Sequence, residues 1–186
     1  MRNIRIFLAV ILLACVVGVC SADTLTADFE TEEVYGHISP GKFDLCTKRD
    51  GRVVYFTQSE WNSVPSSEKS QYTKQGVYVS DNGLFFIVAL HDSGSEMTWD
   101  EAKSRYGNNL PTKAQGEVMA KNYKAINAAI TAFGGDSDPG CLYWTRTTAP
   151  DDSSRAWVFG MNNGIVFFTG NMRSYSVRAV APVPFS

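Results

Sequence analysis

His37 and His91 are the only two histidines in the chain, and a metal site or catalytic triad would need them to converge with carboxylates or a nucleophile. Their spacing supports no such convergence. His91-Asp92 beside Ser93 and Ser95 has the residue types of a hydrolase, but no Gly-x-Ser-x-Gly elbow accompanies them, so the plainer reading is a polar loop. Asp136, Asp138, Asp151 and Asp152 offer oxygen ligands from two loops. Calcium takes about six to eight oxygens and usually draws several from one tight loop, so the expectation is no metal and no cofactor. Cys46 and Cys141 stand in separate segments. As a disulfide they would add about 4 to 5 kcal/mol by the chain-entropy model, and as thiols they would sit buried and free; the sequence leaves both open.

What remains is chemistry of recognition. Arg146, Asp151, Arg155, Asn162, Asn163, Asn171, Arg173 and Tyr175 fall in loops and hairpins of the last third. These types combine rigid contact area with adaptable hydrogen bonding, so they are the candidate ligand-binding residues of a non-catalytic module. Trp144, Trp157 and Arg178 read instead as residues that pack the core or tie strands together.

The first residues decide where this chemistry operates. Arg2 and Arg5, an apolar stretch from Ile6 to Val19 and the small triplet Cys20-Ser21-Ala22 have the order of a cleavable export signal covering 1–22. The apolar stretch is short for a bilayer span, which needs about 20 residues. Leu12-Leu13-Ala14-Cys15 also resembles a bacterial lipobox, so the exported product is either released after Ala22 or lipid-anchored through Cys15. Without 1–22 the chain keeps 15 basic and 19 acidic side chains, a formal charge of −4. That charge disfavours a phosphate backbone, so nucleic acid is an unfitting partner. The expected partners are extracellular proteins or glycans, the only membrane contact is through a lipid anchor, and the oligomeric state is open.

Positioning such a surface requires a fold. Residues 23–37 are acidic and poor in apolar side chains, an expected tether, with one domain over 38–186. Strands are expected at Lys42–Cys46 and Arg52–Phe56 around Lys48-Arg49-Asp50-Gly51, and at Gly76–Ser80 and Leu84–Leu90 around Asp81-Asn82-Gly83. Trp61–Gln75 reads as a loop with at most one helical turn. Leu84–Leu90 lacks polar alternation, which suits burial on both faces. Thr98-Trp-Asp-Glu101 and Thr112-Lys-Ala-Gln115 are capping boxes. The first predicts a helix ending at Gly107. The second predicts one continuous helix to Gly134-Gly135, with Met119, Tyr123, Ile126, Ile130 and Phe133 on one face. Strands return at Leu142–Thr147, Ala156–Met161, Ile165–Thr169 and Tyr175–Ala181, with Asn162-Asn163-Gly164 as a turn. Two helices enclosed by antiparallel strands and hairpins make the class α+β, with the chain ends adjacent in one sheet.

Leu110-Pro111-Thr112, Tyr143-Trp144-Thr145-Arg146-Thr147, Ala156-Trp157, Asn163-Gly164 and Val177-Arg178-Ala179-Val180 occur in an order that resembles the C-type lectin-like domains of bacterial surface proteins, especially those of gut Bacteroidetes. The resemblance covers about Met97 to Pro182. It implies a C-type lectin-like fold and an exported adhesin-like binding module, or within the same fold a hypervariable display protein. Two other readings stand beside it: a structural subunit of an envelope or fimbria-like assembly, and a secreted enzyme with an unrecognised site. Two positions depart from the pattern. Arg146 stands where the family often has serine, and Gly116 interrupts a helix at a cost of about 1 kcal/mol relative to alanine. The Glu-Pro-Asn and Trp-Asn-Asp signatures of calcium-dependent sugar binding are absent.

Overall fold

Tight turns organise the first half of the chain. The structure, a computed structural model, describes residues 39–136 and 140–184; the export signal with Cys15, the tether, His37 and Asp138 lie outside the described residues. Strands β1 (Leu45–Arg49) and β2 (Arg52–Phe56) are joined by Asp50-Gly51, with φ of 51° and 80°. Strands β3 (Thr73–Asp81) and β4 (Leu84–Val88) are joined by Asn82-Gly83, with φ of 51° and 74°. Positive φ at both turn residues gives the backbone twist that matches paired strands. β1 starts three residues later than expected and runs through Lys48 and Arg49, because the two-residue turn leaves those side chains in the ladder opposite Val53 and Arg52.

Between the hairpins the expected loop holds two helices, α1 (Gln58–Ser63) and α2 (Ser66–Lys69). The overlooked signal is a third capping box: the Glu60 N–H donates to Thr57 Oγ1 at 3.2 Å, and the Thr57 N–H donates to Glu60 Oε2 at 3.0 Å. α1 turns Trp61 into the core, edge-on to Phe56 and Tyr72.

Helix α3 (Trp99–Tyr106) begins at its Thr98 box and stops at Gly107, as expected, followed by a 3-10 turn over Gly107–Asn109. The following helix is not continuous. It is α4 (Lys113–Lys121) and α5 (Tyr123–Ala132), broken at Asn122 with φ −103° and ψ 16°. The Asn122 side chain causes no loss of polar satisfaction there, since its Nδ2 donates to Val118 O at 2.9 Å and to Asp81 Oδ2 at 2.8 Å. An asparagine bonding to its own preceding turn offers the backbone an alternative to continued helix. The apolar stripe survives the break: Met119, Ile126, Ile130 and Phe133 are all buried, each contributing about 2 kcal/mol by apolar burial.

Strands β5 (Leu142–Thr148), β6 (Arg155–Gly160) and β7 (Val166–Gly170) follow, then β8 (Val180–Pro182). Two antiparallel sheets result, one of five strands in the order β2-β1-β3-β4-β8 and one of three in the order β5-β6-β7. With five short α-helices among the described residues, the architecture is compatible with α+β. The first and last strands share the large sheet but are not neighbours, being separated by β3 and β4. The segment expected as a strand from Tyr175 is mostly irregular: it makes single bridges to Met97 and Tyr143 before β8.

The main core lies between the large sheet and helices α4 and α5, with Tyr143, Phe159 and Met161 closing it from the small sheet. A second cluster joins α3 to the small sheet through Trp99, Leu110, Trp144, Val158 and Val177. Gly116 explains itself here. A Cβ at that position would meet Phe159 Cδ1 at 3.0 Å and Thr145 Cγ2 at 3.1 Å, so its helix-propensity cost is exchanged for close approach of α4 to the small sheet. Cys46 and Cys141 are not joined in a disulfide and lie in different places: Cys46 belongs to a buried cluster with Tyr55, Tyr78 and Ile87, and Cys141 packs against the main core. Burial pushes the Cys46 thiol up to about 11. Leu84–Leu90 is not buried throughout, because Phe85 is 61% exposed.

Candidate functional site

Two polar constellations stand out, at opposite ends of β5. Near its first residues, the wholly buried Arg178 side chain places Nε 2.7 Å from Asp92 Oδ1. Its Nη1 donates to Leu90 O at 2.9 Å, and Tyr143 Oη donates to Asp92 Oδ2 at 3.1 Å. Asp136 closes the group from the next loop, accepting the Asp92 N–H at 3.0 Å and lying 3.0 Å from His91 Nδ1. The His91 hydrogen bond, then the Asp92 N–H, hold the Asp136 carboxyl below its ordinary range. Together these contacts fasten the segment after β4 to β5, to the residues before β8 and to the loop after α5. Ser93 is equally committed, its Oγ donating to Ser95 O at 2.7 Å and accepting the Val177 N–H at 3.0 Å. Arg178 and Trp144 are therefore structural, as the sequence suggested. The Trp144 indole donates to Met97 O at 2.8 Å, and the Trp99 indole to Thr145 O at 2.8 Å.

At the far end of the small sheet the arrangement is different. The register of β6 and β7 sets Trp157 opposite Phe168 and Arg155 opposite Gly170, and alternation puts all four on one sheet face. The rings meet edge to face, with centroids 5.2 Å apart. Arg155 lays its guanidinium 3.9 Å from the Phe168 centroid, and Lys113, from the first turn of α4, sets its ammonium 4.4 Å from the Trp157 centroid. The result is a ladder of cation, ring, ring, cation, half-buried rather than cored. Lys113 also pairs with Glu117 at 2.7 Å. The Arg155 guanidinium makes no hydrogen bond or ion pair among the described residues. A cation stacked on a ring is held at about 0.5 to 1 kcal/mol at an exposed site, and stacking leaves the in-plane N–H edges of a guanidinium free.

The eight expected binding residues do not form one surface. Asp151, Arg155, Asn171 and Arg173 gather at the ladder end, where Asn171 N–H donates to Ser154 O at 2.9 Å and Asn171 O accepts from Trp99 N–H at 3.1 Å. Asp152, beside them, is held low by the Ser154 hydroxyl and then its N–H. Asn162 and Asn163 occupy the β6–β7 turn, at the opposite end of the strands, where Asn163 Oδ1 accepts the Ile165 N–H at 3.2 Å. Arg146 is exposed and bonds Asn108 Oδ1 at 3.1 Å. Tyr175 is drawn away onto Trp144, with centroids 5.0 Å apart. The aspartates also separate, Asp136 lying with His91 at one end of β5 and Asp151 and Asp152 following its other end. Among the described residues no group of three or more His, Cys, Asp or Glu is placed to hold a metal ion, and no helix is long and apolar enough to cross a membrane.

Sequence reasoning missed Trp157, Phe168 and Lys113. The available signal was the spacing Arg155-Ala-Trp157 against Phe168-Thr-Gly170, but its use depends on the turn. Gly160 N–H donates to Ile165 O at 2.9 Å and Gly164 N–H to Gly160 O at 3.1 Å, so four residues form the connection. A two-residue Asn163-Gly164 turn would instead have set Trp157 against Gly170.

No protein-family model matches the chain, and no curated protein matches it.

Proposed function

We propose that the protein is an exported, non-catalytic binding module of C-type lectin-like fold that recognises an extracellular protein or glycan through the ladder end of its small sheet. One observation carries the reading: Lys113, Trp157, Phe168 and Arg155 form a continuous, half-buried row set by the β6–β7 register and the start of α4. Asp151, Asn171 and Arg173 supply adaptable polar groups at its rim. The His91 and Asp136 pair supports no hydrolytic site, because the neighbouring serine is committed to the backbone. Export, with release after Ala22 or anchoring at Cys15, rests on the order of residues 1–22. A glycan and protein array probed with the purified protein, with and without chelator, tests the reading. Chelator-insensitive binding weakened by Lys113→Ala with Arg155→Ala is expected; binding that resists both substitutions contradicts it.

A second reading, a structural subunit of an envelope assembly, has its own observation. Among the described residues β7 pairs only with β6, and all of its residues are at least partly exposed. By antiparallel alternation the N–H groups of Val166, Phe168 and Gly170 face away from β6. Neither proline nor lysine guards this edge, whereas β8 carries Pro182, and bare edges are templates for pairing. Light scattering after size exclusion decides: a stable oligomer favours the subunit, and a monomer at high concentration sinks it.

A further inference from the structure

We infer that Arg155 is the anchor for an anionic oxygen group, carboxylate or sulfate, on an extracellular polysaccharide; the inference rests on the ladder being the binding face. The guanidinium is oriented in advance by Phe168 at 3.9 Å and has no acceptor among the described residues. Opposite it stands Gly170, where a Cβ would meet nothing within 4 Å, so the space beside the fork is open to a ligand. A planar fork with free edges matches a carboxylate or sulfate through two parallel hydrogen bonds.

The surrounding groups extend the same chemistry. The Trp157 indole donates no hydrogen bond among the described residues, and Lys113 stands over its ring at 4.4 Å. Asp152 turns its Oδ1 to the Ser154 N–H at 2.9 Å and hydroxyl at 2.6 Å, and among the described residues it forms no ion pair with Arg155. Both rings already carry a cation against them, so this face offers no open apolar pocket for the buried anchor that a protein partner brings. A charged, hydroxyl-rich chain fits a flat row of donors rimmed by Ser153, Ser154, Asp151 and Asn171.

The test is affinity electrophoresis of the purified protein through gels containing polygalacturonate, dextran sulfate, unmodified dextran or polyglutamate. Retardation by polygalacturonate or dextran sulfate, and by neither dextran nor polyglutamate, is expected; which of the two retards identifies carboxylate or sulfate. Arg155→Gln should weaken that binding about tenfold or more, the loss of a charge-assisted pair. Arg155→Lys should recover only part of it, and added salt should weaken what remains. Lys69→Gln, which removes a cation over Trp61 in the other half of the molecule, serves as the control and should bind as wild type. Retardation by polyglutamate or dextran, or anionic binding indifferent to Arg155→Gln, overturns the inference while leaving a binding module in place. Failure of every gel together with an empty array overturns both.

Discussion

The two sheets use the same kind of strand for different ends. In the large sheet, Val54, Tyr55 and Phe56 on the edge strand β2 are all under 5% exposed, and just before its strand β8 the buried Arg178 is sealed against Asp92. In the small sheet, the edge strand β7 buries none of its residues, and Arg155 rests on a ring with its edges free. One region spends its polar groups on itself, and the other leaves them available. Position in a sheet therefore says little about role until the partners of each polar side chain are known.

The contrast predicts unequal costs of substitution. Arg178→Met strips the buried partner from Asp92 and should lower stability by about 3 to 5 kcal/mol, measured by urea denaturation; a loss under about 1 kcal/mol would erase the structural half of the comparison. Gly116→Val attacks the seam between α4 and the small sheet and should cost about 1 to 3 kcal/mol through overpacking against Phe159. Equal stability by the same method would mean the seam is loose. Thr112→Ala removes the α4 cap and should cost about 1 kcal/mol, read as a lowered melting temperature.

A pH titration sharpens the comparison in a different way. Asp81 receives hydrogen bonds from Asn122, then Lys121, with Lys42 also close, and these hold its carboxyl well below the usual range. A folded-state value below the unfolded one contributes stability that is complete above the unfolded value of about 4 and drains away as pH falls through the folded one. Denaturation followed from neutral pH downward should therefore show a smaller acid loss for Asp81→Asn than for wild type; parallel curves would remove Asp81 from the account. The smallest effect is expected at the ladder. Arg155→Gln should change stability by no more than about 0.5 kcal/mol in the same melts, although it is expected to weaken the proposed binding.

Much of the scaffold was legible because its signals are local. Asp50-Gly51 and Asn82-Gly83 dictate turns through positive φ, and the Thr98 and Thr112 boxes dictate helix starts through three hydrogen bonds each. The break at Asn122 was not, since only one of the two bonds that hold its side chain is local, and the other goes to Asp81, forty-one residues away. The ladder was half legible: Arg155 stood out as a charged residue beside a loop, but Trp157 read as core until the four-residue turn fixed its partner. Asn162 and Asn163 were grouped with Arg155 by composition, and strand direction then put them at the opposite end. Recognition residues are set by register and by what remains unpaired, and neither is a local property of the chain.

Hydrogen exchange of the purified protein with and without polygalacturonate or dextran sulfate, whichever retards it, tests the central claim most directly. The account predicts new protection over Arg155–Trp157 and Phe168–Arg173, with β1 to β4 unchanged. Protection confined to the large sheet, or to the Asn162-Asn163 turn, would contradict it.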